Sequence, residues 1–495
     1  MVKSRRWAVA AGTGAFLITA GYHGLAVDDS DTPWHVADGN LILHRLGTGV
    51  FGPIRTDPFS WTARGRPWHP NAWAFDTLTA LAYRAGRWTG VGVFRVVLLA
   101  ALAAATWWAT ARLATTWWPR VAAVLLAASF VAPFAVLRPQ LASYLLLPVT
   151  LVIAGQVLDG RRPVWGLGAL AVLFSLWADL HGVVVAGVIA VGAAAAGYAL
   201  ERRDRQSLTR AALVGGVCLA ASCTTAYGWS VWTYAVTTRH ASRNIIEWQH
   251  PSWHSSSDVT LFTVIAIAAL WALARRPVPW RDLLPMVAMT VLALDAVRNE
   301  PLAVIAALPL FAATIDWAGS QARARIPARL LDAPSPRARA LSPSIAFASI
   351  VVIGLAVDLF LDHGASGLDP TRLRPGAFPT VSAAALPAGC RLLNEYDQGG
   401  YLILARPDIP VSQDGRNDLY GAGFVDAQGQ LLAGAGGTPA LDRLGVTCVL
   451  AAPDRGIIPE LAASGAWHRA GADRLAEAWV RRSVRTVAVR GASHR

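Results

Sequence analysis

The sequence has a single lysine, Lys3, so 43 of its 44 basic residues are arginine. Charged residues of either sign are scarce, at 15%, where a soluble domain carries about 25%. That scarcity excludes a disordered chain and argues against a single soluble globule. Cysteine is equally sparse: four in 495 residues, with no C-x-x-C pair and no H-E-x-x-H motif. Nothing in the spacing therefore resembles a zinc site. No tandem repeat at a solenoid period is present. What is abundant is apolar: 54% of residues are hydrophobic, 21 are tryptophan, and mean hydropathy is +0.40. The formal net charge of +13 is not a nucleic-acid footprint, because the arginines sort by loop.

About 20 apolar residues cross a bilayer as a helix. Eleven stretches qualify, near 7–27, 90–114, 119–136, 140–158, 163–179, 181–200, 209–226, 259–275, 281–297, 300–317 and 344–361. Three neighbouring pairs need a short turn between them: 119–136 with 140–158, 163–179 with 181–200, and 281–297 with 300–317. The first stretch follows the basic MVKSRR and lacks an A-x-A site before Asp28, so it reads as an uncleaved first span. With a cytoplasmic N-terminus, inside loops hold nineteen basic residues and outside inter-helix loops ten over a greater length. This is the positive-inside pattern. It predicts a multi-pass protein of the plasma (cytoplasmic) membrane with an extracytoplasmic C-terminus.

The expected architecture is an α-helical polytopic membrane protein of about 11 transmembrane helices over 1–361. A small extracytoplasmic α/β domain follows over 362–495. Within the first part, 28–89 and 227–258 are outside loops and 318–343 is a basic cytoplasmic linker. In the C-terminal domain, RLLNEY, GYLILA and TCVLAA read as strands, and 459–465 and 473–481 as helical pieces. Cys390 and Cys448 fall at two predicted strands; an oxidising compartment permits a disulfide, which sequence alone does not decide. Cys218 and Cys223 lie in one apolar span and read as small core residues.

The first outside loop concentrates the chemistry. Asp28, Asp29 and Asp31 cluster where the first span ends. Such acids serve either as a cap on a helix end or, beside low-dielectric surface, as a general base. The order Asp31-x-x-Trp34-His35, Gly39, Asp57-Pro-Phe-Ser-x-Thr62, Gly65-Arg66-Pro67-Trp68, Asn71 and Trp73 resembles the polytopic GT-C glycosyltransferase superfamily. It is similar in particular to bacterial multispan proteins described as mannosyltransferase-like. Further matching segments are Arg138-Pro-Gln140, Leu176-W-A-D-L-His181-Gly182, Tyr227-Gly-Trp229, Ile245-x-Glu247-Trp248-Gln249, Arg298-Asn299, N-E-Y-D-Q-G-G-Y-L-I from Asn394, and D-G-R-N-D-L-Y from Asp414. The resemblance spans nearly the whole chain. Two positions depart from the usual pattern: Pro33 stands where Trp-Trp-His is expected, and Asp179 where Asn precedes Leu-His-Gly.

That resemblance implies inverting transfer of a sugar from a polyprenyl-phosphate donor to an extracytoplasmic acceptor. The base role falls on Asp31, with Asp57 second. Independently of it, the chemistry requires three parts. A carboxylate must take the acceptor proton. A cation must meet charge developing on the leaving phosphate, a role open to Arg138 and Arg298 at outside span ends and equally consistent with snorkelling to headgroups. Aromatic faces must floor the sugar, as Trp34, Trp68 and Trp248 are able to do, or else they form an interfacial belt. His35, Arg66, His181 and Glu247 complete the candidate binding set. No cofactor is fixed by sequence; Mg²⁺ or Mn²⁺ on Asp31, Asp57 and Glu247 is the metal these residue types suit. The D-G-R-N-D segment reads as a turn held by Asp414–Arg416 or Arg416–Asp418. Expected partners are the lipid-linked sugar, membrane lipid and an unspecified acceptor, with no nucleic acid. Two further readings stand beside the transferase: a transporter or flippase of a lipid-linked saccharide, for which Asp295 within a span is the pertinent residue, and a non-catalytic scaffold of the same fold.

Overall fold

The structure is a computed structural model that describes residues 2–23, 26–50, 52–241, 245–324 and 376–483. The predicted span at 344–361 and most of the linker at 318–343 lie outside those residues. The chain divides into two compact units. One comprises Met1–Ala26, Val91–Ala235 and Asn244–Pro370; the other Val27–Gly90, Val236–Arg243 and Thr371–Arg495.

The first unit is helical. Its elements are α1 (Val2–His23), the second half of α3 (Trp73–Thr110, broken at Gly86–Arg87), α4 (Trp117–Val131), α5 (Gln140–Leu158), α6 (Pro163–Leu180), α7 (Val184–Arg202), α8 (Arg205–Ser222), the start of α9 (Ser230–Ala241), α10 (Ser256–Ala274), α11 (Trp280–Asp295) and α12 (Glu300–Ala324). Each of the ten predicted spans within the described residues corresponds to a helix. Seven helices among the described residues are long and apolar enough to cross a membrane. The protein is therefore a polytopic helical membrane protein. Helices α1, α8 and α11 are not among those seven, and α11 has only 16 residues.

The predicted short turns have local causes. Pro163 opens α6, where its missing N–H loses nothing. Residues 181–183 separate α6 from α7, and a 3-10 turn at Val297–Asn299 separates α11 from α12. Between α7 and α8 the Asp204 carboxylate accepts the Ser207 N–H at 2.8 Å, a side-chain cap that starts the next helix.

The second unit carries a four-stranded sheet: β1 (Leu392–Asn394), β2 (Cys448–Ala451), β3 (Trp467–Ala472) and β4 (Glu477–Arg481), in the order β1-β2-β4-β3. β1 pairs parallel to β2, and β4 runs antiparallel to both its neighbours. β2 is buried along its whole length, as a central strand covered on both faces is. Cys390 and Cys448 form a disulfide with Cα atoms 6.0 Å apart. Around the sheet lie α13 (Thr380–Ala384), α14 (Tyr396–Ala405), α15 (Asn417–Tyr420), α16 (Ala422–Leu432), α17 (Gly437–Arg443) and α18 (Ile457–Ala463).

Two predicted elements change type. GYLILA lies in the helix α14 rather than a strand. Its Gly400 has no room for a Cβ because the Ser30 carbonyl and Trp34 ring lie against it, and the preceding Gly399 has none because of the Gln413 carbonyl and Asp414, so both glycines serve close packing of the helix on neighbouring backbone. Residues 473–481 hold strand β4 rather than a helix. There the Asp473 carboxylate accepts the N–H groups of Leu475 and Ala476 at 3.0 Å each, closing the turn from β3.

The segment 27–90 belongs to this unit. It forms the helix α2 (Thr32–Gly47), a loop, and the first turns of α3. Trp34, Ala37 and Phe59 pack against a core that includes Leu392, Leu402, Leu450 and Val480. The loop is tied by the Trp61 indole N–H donating to the Leu392 carbonyl at 2.7 Å and the Thr62 hydroxyl donating to the Ser412 carbonyl at 2.6 Å.

Candidate functional site

In the second unit, four of the motif-bearing segments converge on the N-terminus of α2. Asp29 is a cap: one of its carboxylate oxygens accepts both the backbone N–H and the hydroxyl of Thr32 at 2.8 Å. Asp31 is the residue from which α2 departs, and its carbonyl accepts the His35 N–H at 3.2 Å. The helix start places a partial positive charge beside it. Asp31 is half-buried. Its carboxylate occupies the space a Cβ would take at Gly415, the glycine of D-G-R-N-D. The Tyr396 hydroxyl, from N-E-Y-D-Q-G-G, is held by the Asn417 amide. Burial, and then the negative charge of Asp31, push its ionisation well above the usual phenol range. It remains a neutral hydroxyl beside the acid.

Beneath this surface Arg416 is a hub with a side chain 1% exposed. Its Nε and Nη2 donate to the two oxygens of Asp414 at 2.7 and 2.6 Å, and its Nη1 donates to Asp57 at 2.7 Å. Of the two pairings open to the turn, Asp414–Arg416 is the one that forms its grip. The guanidinium lies 4.6 Å from the Trp68 ring centre and 5.2 Å from that of Phe59. Burial opposes its charge most, but Asp414, Tyr420 and Asp57 together outweigh it and the guanidinium is held protonated more firmly than usual.

Asp57 thereby has a defined part. Besides Arg416, it accepts the backbone N–H groups of Phe59 and Ser60, each at 3.1 Å, and the Ser60 hydroxyl. At 2% exposure, with its oxygens committed to these donors, it is an anchor for the loop and is not placed to abstract a substrate proton. Trp68 is buried at 3%, so its ring serves Arg416 rather than an open sugar floor. Arg66 is exposed, and its carbonyl accepts the Asp57 N–H at 3.0 Å. Trp34 is half-buried and lies against His35, with ring centres 3.7 Å apart and the planes tilted by 31°. His35 itself is buried, its Nδ1 2.6 Å from Asp76 Oδ1.

The remaining candidates belong to the first unit. Arg138 Nη1 lies 3.7 Å from Glu247 Oε1. The Arg298 guanidinium sits 4.2 Å over the Trp248 ring, and its carbonyl accepts the Tyr144 hydroxyl at 3.4 Å. The turns holding Trp248 and Arg298 are joined by the Val297 N–H donating to the Gln249 carbonyl at 3.0 Å. Arg138, Glu247, Trp248 and Arg298 thus form one patch at helix ends, with two guanidinium groups and an aromatic face. Arg138 and Arg298 feel each other's charge as well as that of Glu247. His181 is buried, at 8% exposure, and its Nδ1 is 2.8 Å from the Ser143 hydroxyl, which also accepts the Trp177 indole N–H. It positions α6 against α5. Asp179 accepts the Thr225 hydroxyl. Asp295 is the last residue of α11 and is exposed there, not set at mid-span.

Among the described residues no group of three or more His, Cys, Asp or Glu side chains is arranged to hold a metal ion. The donor set suggested for Mg²⁺ or Mn²⁺ is not assembled among them, and Asp57 is engaged by Arg416. Sequence reasoning passed over Asp38 and Asp76, both fully buried. The available signal was helical spacing: Asp31, His35 and Asp38 are four and three residues apart, on one face of α2.

No protein-family model matches the sequence, and no curated protein matches it.

Proposed function

We propose that this chain is a membrane glycosyltransferase that moves a sugar from a polyprenyl-phosphate donor to an acceptor hydroxyl, with inversion at the anomeric carbon. The observation that carries this reading is the seat of Asp31. It is a half-buried carboxylate at a helix start, with a neutral tyrosine hydroxyl in its field and a glycine turn shaped to its carboxylate.

In this reading Asp31 accepts the acceptor's proton as the acceptor oxygen bonds to the anomeric carbon. The bond from that carbon to the phosphate oxygen breaks, and the electron pair leaves with the polyprenyl phosphate. The charge that develops on the phosphate calls for a cation, and the first unit's Arg138 and Arg298 are of the residue type that supplies one. Arg suits this part because its planar fork matches two phosphate oxygens and stays charged. Trp248, already bearing a cation on its face, offers the lipid-phosphate end an aromatic contact. The arginine distribution supports a cytoplasmic N-terminus and an outside position for Asp31 in this reading.

The test is release of polyprenyl phosphate from a panel of radiolabelled polyprenyl-phosphate sugars by the full chain in nanodiscs. Turnover of one donor that falls on Arg298→Ala supports the reading. Donors that bind and are carried across the bilayer without cleavage overturn it in favour of a transporter.

A further inference from the structure

The second unit contains a buried acid pair that the proposed transfer does not use. Asp38 of α2 and Asp76 of α3 are each 0% exposed. The carboxyl groups lie within hydrogen-bonding reach of one another. Asp76 Oδ1 takes the Nδ1 of His35 at 2.6 Å. Among the described residues, Asp76 Oδ2 and both oxygens of Asp38 have no hydrogen-bond donor. Among the described residues, the four carboxyl oxygens of this pair thus have one protein donor, His35. The helices leave no slack for the acids to swing apart: a Cβ at Gly39, the neighbour of Asp38, would run into the Asp76 carbonyl.

Two ionised carboxylates in contact and away from water repel strongly, and each loses its hydration. The charged groups that face Asp38 are Asp76 from α3, His35 from its own helix and Arg416 from the D-G-R-N-D turn. Arg416 is already committed to Asp57 and Asp414, so it does not neutralise a further pair. His35 contributes at most one positive charge, at Asp76 Oδ1. A lone proton between the two acids supplies the missing donor and removes the repulsion, as in other carboxyl dyads.

We propose that Asp38 and Asp76 share one proton in the folded protein through neutral pH, and that this proton, with His35, locks α2 to α3. Asp31 leads the same helix, so the lock positions it. The inference rests on the second unit's geometry alone and stands whether or not Asp31 acts as a base. Burial, and then the charge of Asp76, raise the ionisation of Asp38 well above the usual carboxylate range. The sign follows by linkage: a raised folded value gives a contribution that is intact at low pH and is lost as pH rises through that value. The unit therefore loosens on the alkaline side.

The test uses the full chain in nanodiscs. Infrared difference spectra report a protonated carboxyl at neutral pH, and thermal unfolding is followed from neutral to alkaline pH. The expected result is a protonated-carboxyl band in the wild type that disappears in Asp38→Asn and in Asp76→Asn. The wild type should also show a fall in Tm with rising pH that Asp38→Asn flattens, since an amide keeps a donor and cannot ionise. A wild-type spectrum without that band overturns the proposal, with no variant needed. So does a band and an alkaline limb that both survive Asp38→Asn unchanged.

Discussion

Arg416→Met is the perturbation whose consequence follows most directly from the geometry. In the wild type one guanidinium satisfies Asp57 and both oxygens of Asp414, and the paired side chains are 0–1% exposed. Methionine fills much of the volume but leaves two carboxylates buried with a partner removed. Breaking a buried ion pair from one side costs about 3–5 kcal/mol, because the remaining charge is uncompensated. For a unit of this size a loss of 1 kcal/mol lowers Tm by about 2–4 °C, so the expected fall is roughly 6–20 °C. Arg416→Lys keeps the charge but loses the two-pronged contact with Asp414, and should fall between methionine and wild type. Combining Arg416→Met with Asp57→Asn and Asp414→Asn should recover much of the loss, since no buried charge then remains. Thermal unfolding in detergent, read from a tryptophan signal of the second unit, measures all four proteins. An Arg416→Met protein within about 1 kcal/mol of wild type would refute the assignment of Arg416 as the electrostatic hub.

Three other outcomes are expected. Replacing Cys390 and Cys448 together by serine opens a bridge between residues 58 apart, which lowers stability by about 4 kcal/mol in the chain-entropy account; unfolding with and without reductant checks it. Gly415→Ala puts a methyl group where the Asp31 carboxylate sits. Since that carboxylate is the mobile end of a side chain, the fold should lose about 1 kcal/mol or less. Donor turnover should fall about 100-fold through misplacement of the acid, and parallel unfolding and turnover assays separate the two effects. The alkaline loss of Tm, flattened by Asp38→Asn, is the third.

The membrane helices were legible because apolar length is a local property. The turns at 181–183 and 297–299 fall within a few residues of the breaks expected between the paired spans, and a proline opens α6 and a side-chain cap opens α8. The second unit was less legible. GYLILA is apolar throughout, and a short apolar run does not distinguish helix from strand; the decision rests on Gly399 and Gly400 packing against distant backbone. The first loop concealed a 16-residue helix, Thr32–Gly47, because its buried face includes Thr32, His35, Asp38 and Gly39 rather than a clean apolar stripe. Asp31, His35 and Trp34 were readable as a cluster from one helical turn. The partners that give them meaning are far away in sequence: Arg416 meets Asp57 across 359 positions, and His35 meets Asp76 across 41. Composition and spacing carry no trace of such pairings. The same distance explains Asp57, which looked like a second base until its buried arginine was in view.

The central claim is that Asp31, and not the other acids of its loop, takes the acceptor's proton. The most direct measurement is release of polyprenyl phosphate from the productive donor in nanodiscs, comparing wild type with Asp31→Asn at equal folded concentration. The account predicts that Asp31→Asn retains the wild-type Tm to within a few degrees while turnover falls about 10²–10⁴-fold, the range for loss of a general base. Turnover unchanged in a folded Asp31→Asn protein would contradict it.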